Sequence, residues 1–311
     1  MWARLPHVVP AYAGTQGGES GLRRLVYAIL RRMIYILLAV AFSVAVSVLL
    51  KLARRANIDI VQAVATNYVV ASLMAWWFLD ATPQGAIDAP ATWPPLIALG
   101  ILLPAIFVVL AHSVRTAGIV RTDVAQRLSL FVSLFGAFVF LGDTLTAHKA
   151  AGIAIAVAAV LCVLWRKDTV EKGGWWAPLL VFAGFGAIDI CFKLVARAGA
   201  GFASALLASF LIALVPCWIA AFVRAGTGKA SLAWRNLAFG VLLGAFNFAN
   251  ILFYVKGHMA LPDSPSLVFA SMNVGVVALG TLAGAVGFRE KLSPMNWLGI
   301  GLAVAAIAVM A

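Results

Sequence analysis

Ala98-Leu99-Gly100-Ile101-Leu102-Leu103 is echoed 140 positions later by Ala238-Phe239-Gly240-Val241-Leu242-Leu243. Four pairs on either side share one offset of 142: Lys51 with Lys193, Arg55 with Arg197, Tyr68 with Phe210 and Trp76 with Trp218. Further along, Asp143 with Glu290, Leu145 with Leu292, Thr146 with Ser293 and Gly152 with Gly299 share an offset of 147. Charges and tryptophans are scarce in this chain, so their matching carries more weight than matched Leu or Ala. Small offset changes correspond to loop changes, and the pattern reads as a duplicated unit.

Composition gives the solvent. Hydrophobic residues make up 64% and charged residues 11%, whereas a soluble domain carries about 25% charge. A bilayer core of about 30 Å takes roughly 20 helical residues. Apolar runs of that order lie near 33–52, 59–79, 94–114, 123–141, 150–165, 177–197, 203–223, 236–255, 266–287 and 294–311. They are apolar throughout rather than alternating, and in lipid each backbone N–H must be satisfied within its own segment, so helices are expected rather than a barrel. The expected fold is an all-α polytopic membrane protein of ten transmembrane helices. Five spans per copy turn the second copy upside down relative to the first, giving two inverted five-helix repeats about an axis in the membrane plane.

The units divide as repeat 1 over 33–166, a linker over 167–176 and repeat 2 over 177–311. Residues 1–32 stand apart. Pro6, Pro10, Gly14, Gly17, Gly18 and Gly21 interrupt any helix, and the apolar patch Leu25 to Leu30 is too short for a span. A disordered tail is expected there, with Met33 as an alternative translation start.

Val124-Ala125-Gln126-Arg127-Leu128-Ser129, then Phe140-Leu141-Gly142-Asp143-Thr144-Leu145 and Gly152-Ile153, resemble the end of the repeat unit in the drug/metabolite transporter superfamily. Gly287-Phe288-Arg289-Glu290-Lys291-Leu292, followed by Gly299-Ile300-Gly301, is similar to the same signature in the second copy. The first copy departs from it, with Asp143 where the family usually has Glu. The resemblance covers residues 33–311 and is to the ten-helix branch with two EamA-type domains. It implies a secondary carrier of a small molecule, commonly an exporter, in the bacterial cytoplasmic (inner) membrane. It names no substrate.

Most of the 23 Lys and Arg lie in or beside the connections after odd-numbered spans. By the positive-inside rule that side is cytoplasmic, while the arginines of the tail and the family resemblance argue the opposite orientation. The net charge of +12 is dispersed over short loops, which does not favour nucleic acid as a partner. Cys162, Cys191 and Cys217 have neither zinc nor disulfide spacing, and His7, His112, His148 and His258 are far apart, so no metal or other cofactor is expected. Gly226-Thr227-Gly228-Lys229 lacks the spacing of a phosphate-cradling loop, which points to a gradient as the energy source.

Charge inside a span costs about 2.5–3.5 kcal/mol at the bilayer centre and calls for a role. Asp189 and Lys193 stand four apart in span six. Two readings are open: a protonatable coupling carboxylate, or a fixed ion pair near the membrane edge. Asn67, Tyr68, Gln126, Arg127, Asn247, Asn250 and Asn273 are candidates for a cavity lining. Gln126 and Asn273 occupy matched repeat positions. The Arg127 fork suits a carboxylate or phosphate, the alternative being an anchor paired with Asp123. For the asparagines the alternative is hydrogen bonding between helices. Gly280 with Gly284, and Gly301 with Ala305, are small-residue pairs that allow close helix approach or a homodimer face.

A carrier explains the repeat, the mid-membrane polar groups and the lack of a soluble domain. A non-transport scaffold or channel is the alternative. An integral-membrane enzyme needs a catalytic cluster that the chain does not display, and none is expected.

Overall fold

The computed structural model describes residues 18–141, 146–165, 176–262 and 265–310. Among them there is no strand. The helices are α1 (Gly18–Arg55), α2 (Ile60–Leu79), α3 (Gln84–Ile87), α4 (Trp93–Thr116), α5 (Ile119–Leu141), α6 (Ala147–Leu164), α7 (Trp176–Arg197), α8 (Phe202–Gly226), α9 (Trp234–Ala260), α10 (Pro265–Leu282) and α11 (Pro294–Met310). Ten are long, and α3 is a short turn in a connection.

Local chemistry accounts for where they begin and end. Asp59 caps α2, its carboxylate accepting from the Gln62 amide at 3.0 Å. Asp80 ends that helix in a left-handed conformation. α4 opens on Trp93-Pro94-Pro95, where proline is tolerated because first-turn N–H groups have no helical acceptor. Ala117 and Gly118 alone join α4 to α5. Gly118 has φ +97°, and a side chain there would also collide with the Glu290 carboxylate. After α10 the chain winds through a π-helical segment, Ala283–Gly287, which leads into Phe288-Arg289-Glu290.

One expectation needs correction. Residues 18–32, read as part of an unstructured tail, continue α1 as helix. Past Gly21, the run Leu22 to Arg32 holds neither Gly nor Pro and is rich in Leu and Arg, so an existing helix extends through it without a new nucleus. Residues 1–17, most of the linker 167–176, and Asp143 in the first-copy signature lie outside the described residues.

This is a multi-pass membrane protein. Seven helices among the described residues are long and apolar enough to cross a bilayer, namely those spanning Met33–Arg55, Ile60–Leu79, Pro90–Thr116, Trp176–Arg197, Phe202–Gly226, Trp234–Ala260 and Leu267–Gly287. Two shorter apolar helices cover Ala150–Val163 and Pro294–Val309. α5 falls outside the set although it has 23 residues, and Arg121, Asp123 and Arg127 lie in its first half. Large apolar side chains such as Leu37, Trp77, Ile101, Leu161 and Val215 are exposed on the outside of the bundle. So much outward apolar surface suits lipid rather than water.

Helix packing respects an exchange of the two groups of five. α2 packs on α9 as α8 packs on α4, α1 on α9 as α7 on α4, α5 on α7 as α10 on α1, and α5 on α6 as α10 on α11. Three further contacts, α2 on α8, α5 on α10 and α6 on α11, join helices to their own counterparts. Sequence-matched glycines serve matched contacts: Gly100 lets α4 close on Ile212 of α8, and Gly240 lets α9 close on Ala63 and Thr66 of α2. Gly244 adds a second close approach to α2, at Asn67 and Val70. Gly280 of α10 and Gly284 of the π-helical segment close on α5, whereas Gly301 faces open space and Gly299 makes the approach of α11 to α6.

Candidate functional site

A cavity of about 170 Å³ lies between the two groups of helices. α1 contributes Ser43 and Ser47, α2 Tyr68, α5 Gln126, and α9 Asn247 and Asn250; Phe107, Phe185, Phe192 and Phe210 come from α4, α7 and α8. Tyr68 and Phe210, matched by the repeat offset, meet there with ring centroids 5.6 Å apart. Tyr68 also sets its ring edge-on to Phe107 at 6.1 Å. Its side chain is 1% exposed and its hydroxyl has no hydrogen-bond partner. A larger cleft of about 350 Å³ lies at the helix ends, beside Arg54, Asn57, His112 and Arg115, but α1, α2, α4 and the α1–α2 loop alone line it.

Of the seven lining residues expected from sequence, the cavity brings together Tyr68, Gln126, Asn247 and Asn250. Asn67 stands behind Asn247, accepting from its amide at 3.3 Å. Asn250 donates to the Ala39 carbonyl at 2.8 Å, and Asn273 to the Phe269 carbonyl at 2.8 Å. Asn273 is not in the lining, although it matches Gln126 in the repeat. Arg127 stands behind the wall, donating to the Ser43 hydroxyl at 2.6 Å. It makes no ion pair with Asp123. The ion pairs within 4 Å among the described residues are Lys51 with Glu290 and Arg224 with Asp59.

Asp189 and Lys193 are likewise outside the lining and do not form such a pair. The Lys193 ammonium donates to the Ser133 carbonyl of α5 at 3.4 Å. Its long stem reaches across to the neighbouring helix, where that carbonyl competes with the short Asp189 side chain one turn back. Both Lys193 and Arg127 act electrostatically on Asp189.

Sequence reasoning passed over Ser43 and Ser47. They belong to a ladder between α1 and α5, which run antiparallel. Ser43 accepts from Arg127, Ser47 donates to Asp123 Oδ1 at 2.6 Å, and Lys51 donates to Glu290 Oε1 at 2.6 Å, while Glu290 also accepts from the Ile119 amide at 2.7 Å and the Val120 amide at 3.2 Å. Steps of four residues on each helix keep the rungs on one face. Glu290 thus caps the start of α5, where free N–H groups and the helix dipole favour an anion. Lys51 and Arg55 also approach the Phe288 ring, at 5.4 and 5.6 Å.

Other polar contacts gather at the same end. Arg224 at the end of α8 pairs with Asp59 at 2.8 Å, and the Asn236 amide of α9 donates to Gln62 of α2 at 3.0 Å. Asn296 at the start of α11 accepts from Arg121 of α5 at 3.0 Å and donates to the Val163 carbonyl near the end of α6 at 2.9 Å. His112 of α4 stacks on Trp176 at the start of α7, with centroids 5.0 Å apart. The ends of α1, α4, α6 and α8 and the starts of α2, α5, α7, α9 and α11 therefore share one face with Glu290.

Comparison with known proteins follows the same lines. Residues 30–165 match the model of the EamA-like transporter family. A protein of Haemophilus influenzae described as "Uncharacterized protein" is 40% identical over 281 residues, covering 88% of this chain and 95% of its own length. Residues 30–165 are therefore an EamA-like transporter family domain.

Proposed function

We propose that this protein is a secondary active carrier of a small metabolite or drug, working as an exporter in the bacterial inner membrane by alternating access through the central cavity. The observation that carries this reading is the cavity itself: both groups of five helices line it, and the repeat-matched Tyr68 and Phe210 touch within it. The match of residues 30–165 to a transporter family's model supports it.

On this reading α5, α6 and α11 also cross the bilayer, making ten spans in two inverted repeats. The packing that survives exchange of the groups supports the symmetry. The gathering of alternate helix ends on one face supports the inversion, because each helix then runs opposite to its counterpart. The Lys51–Glu290 end is the closed gate, and exchanging the conformations of the halves opens it while closing the other. Asp189 serves as the proton-coupling carboxylate, with Lys193 as the partner that modulates it.

Counterflow in proteoliposomes tests the reading. Purified protein loaded with unlabelled solute should accumulate labelled solute transiently against its gradient. A solute that binds yet equilibrates without overshoot would identify a channel, and one that binds without moving would identify a non-transporting scaffold.

A further inference from the structure

We infer that the central cavity selects an uncharged solute, an aromatic ring bearing an amide-like group that both donates and accepts hydrogen bonds. The inference names the substrate class of the site proposed above and rests on that reading. The lining contains no ionisable group apart from the Tyr68 phenol: its polar members are two serines, three side-chain amides and that hydroxyl, and four phenylalanines supply much of the rest.

The ionisable groups nearby are kept behind this wall: Asp123 with Arg127 on α5, and Asp189 with Lys193 on α7, are all outside the lining. Asp123 turns toward α10, with Oδ2 at the point where a side chain on Gly280 would sit, and it is 2% exposed. An ammonium in the cavity therefore meets Ser47 rather than the carboxylate. An ion entering the cavity loses hydration and meets no charged side chain in the lining to replace it. A zwitterion faces the same cost at its positive end.

The serines convert these hidden charges into a neutral pattern. Ser43 accepts from Arg127 and keeps its O–H to donate, while Ser47 spends its O–H on Asp123 and keeps lone pairs to accept. A donor and an acceptor thus stand one helical turn apart on α1, each polarised by the charge behind it. Across the cavity, the amide nitrogens of Asn247 and Asn250 are engaged by Asn67 and Ala39. The unpartnered Tyr68 hydroxyl adds a further group that a polar edge would satisfy. An amide supplies the complementary carbonyl and N–H, and its ring fits among the phenylalanines.

The test uses the purified full chain and four probes that each carry one six-membered aromatic ring: nicotinamide, nicotinate, 3-(aminomethyl)pyridine as the cation, and phenylalanine as the zwitterion. Binding is measured by calorimetry in detergent. Nicotinamide should bind at least about tenfold more tightly than each charged probe, a difference of about 1.4 kcal/mol. Gln126→Leu and Ser43→Ala should each weaken nicotinamide by about fivefold. Tighter binding of a charged or zwitterionic probe, or no binding of nicotinamide at all, overturns the inference. The carrier reading is judged separately, by counterflow of whichever probe binds: nicotinamide bound but not exchanged would leave the site's selectivity standing and remove the carrier.

Discussion

Lys51 Nζ donates to Glu290 Oε1 at 2.6 Å, joining the end of α1 to the segment between α10 and α11 across 239 positions of sequence. The pair is half the story at that point, since the same carboxylate closes the N-terminus of α5 through two backbone amides. One side chain therefore ties α1 and α5 to the connection before α11, and its removal should release them together.

Glu290→Gln keeps the shape but loses the charge that Lys51 and the α5 terminus both favour. Thermal unfolding in detergent should show a loss of about 1–3 kcal/mol. A cysteine placed at Ser47 should then react faster with a water-soluble maleimide than it does with Glu290 intact. Unchanged labelling rates would remove the gate role from this pair.

Ser47 and Asp123 form a buried rung, and each is a poor neighbour without the other. Ser47→Ala should destabilise by about 1–3 kcal/mol because the carboxylate loses its donor. The double change Ser47→Ala with Asp123→Ala should cost less than the sum of the single changes, by about 0.5–3 kcal/mol. Strict additivity in a double-mutant cycle would show that the rung is not an energetic unit.

Gly240→Ala places a methyl group about 2.6 Å from the Ala63 carbonyl, closer than packing permits. Folded yield and melting temperature should fall. Gly301→Ala faces open space and should leave both within the scatter of surface changes, about 0.5 kcal/mol. If the two substitutions behave alike, the α9–α2 approach is not held at this glycine.

Asp189→Asn preserves side-chain size and removes the exchangeable proton. Transport per folded molecule should lose its response to a pH gradient while solute binding persists. Lys193→Ala should shift the pH profile without abolishing it. A profile in Asp189→Asn matching that of the parent would reassign coupling to Asp123 or to solute exchange without protons.

Much of the helical layout was legible because its causes are local. Apolar length is a property of each run by itself. The repeat offset also carried three-dimensional information, since Tyr68 and Phe210 meet, and Gly100 and Gly240 serve matched contacts. Spacing misled where a side chain had a choice of helices. Asp189 and Lys193 are four residues apart, yet Lys193 reaches Ser133.

What the residues by themselves determined was an all-helical membrane chain, the principal apolar runs and four of the groups that line the cavity. Only the tertiary structure decided which polar groups face the cavity and which stand behind it. Gln126 and Asn273 hold matched positions, but one lines the cavity and the other bonds to its own helix. Helix rotation is set by the side chains packed against it, and those differ between α5 and α10. Ser43 and Ser47 carry no signal in sequence, because a serine in an apolar helix reads as a small packing residue. Their meaning comes from the register of α1 against α5, a relation between segments that no local pattern contains.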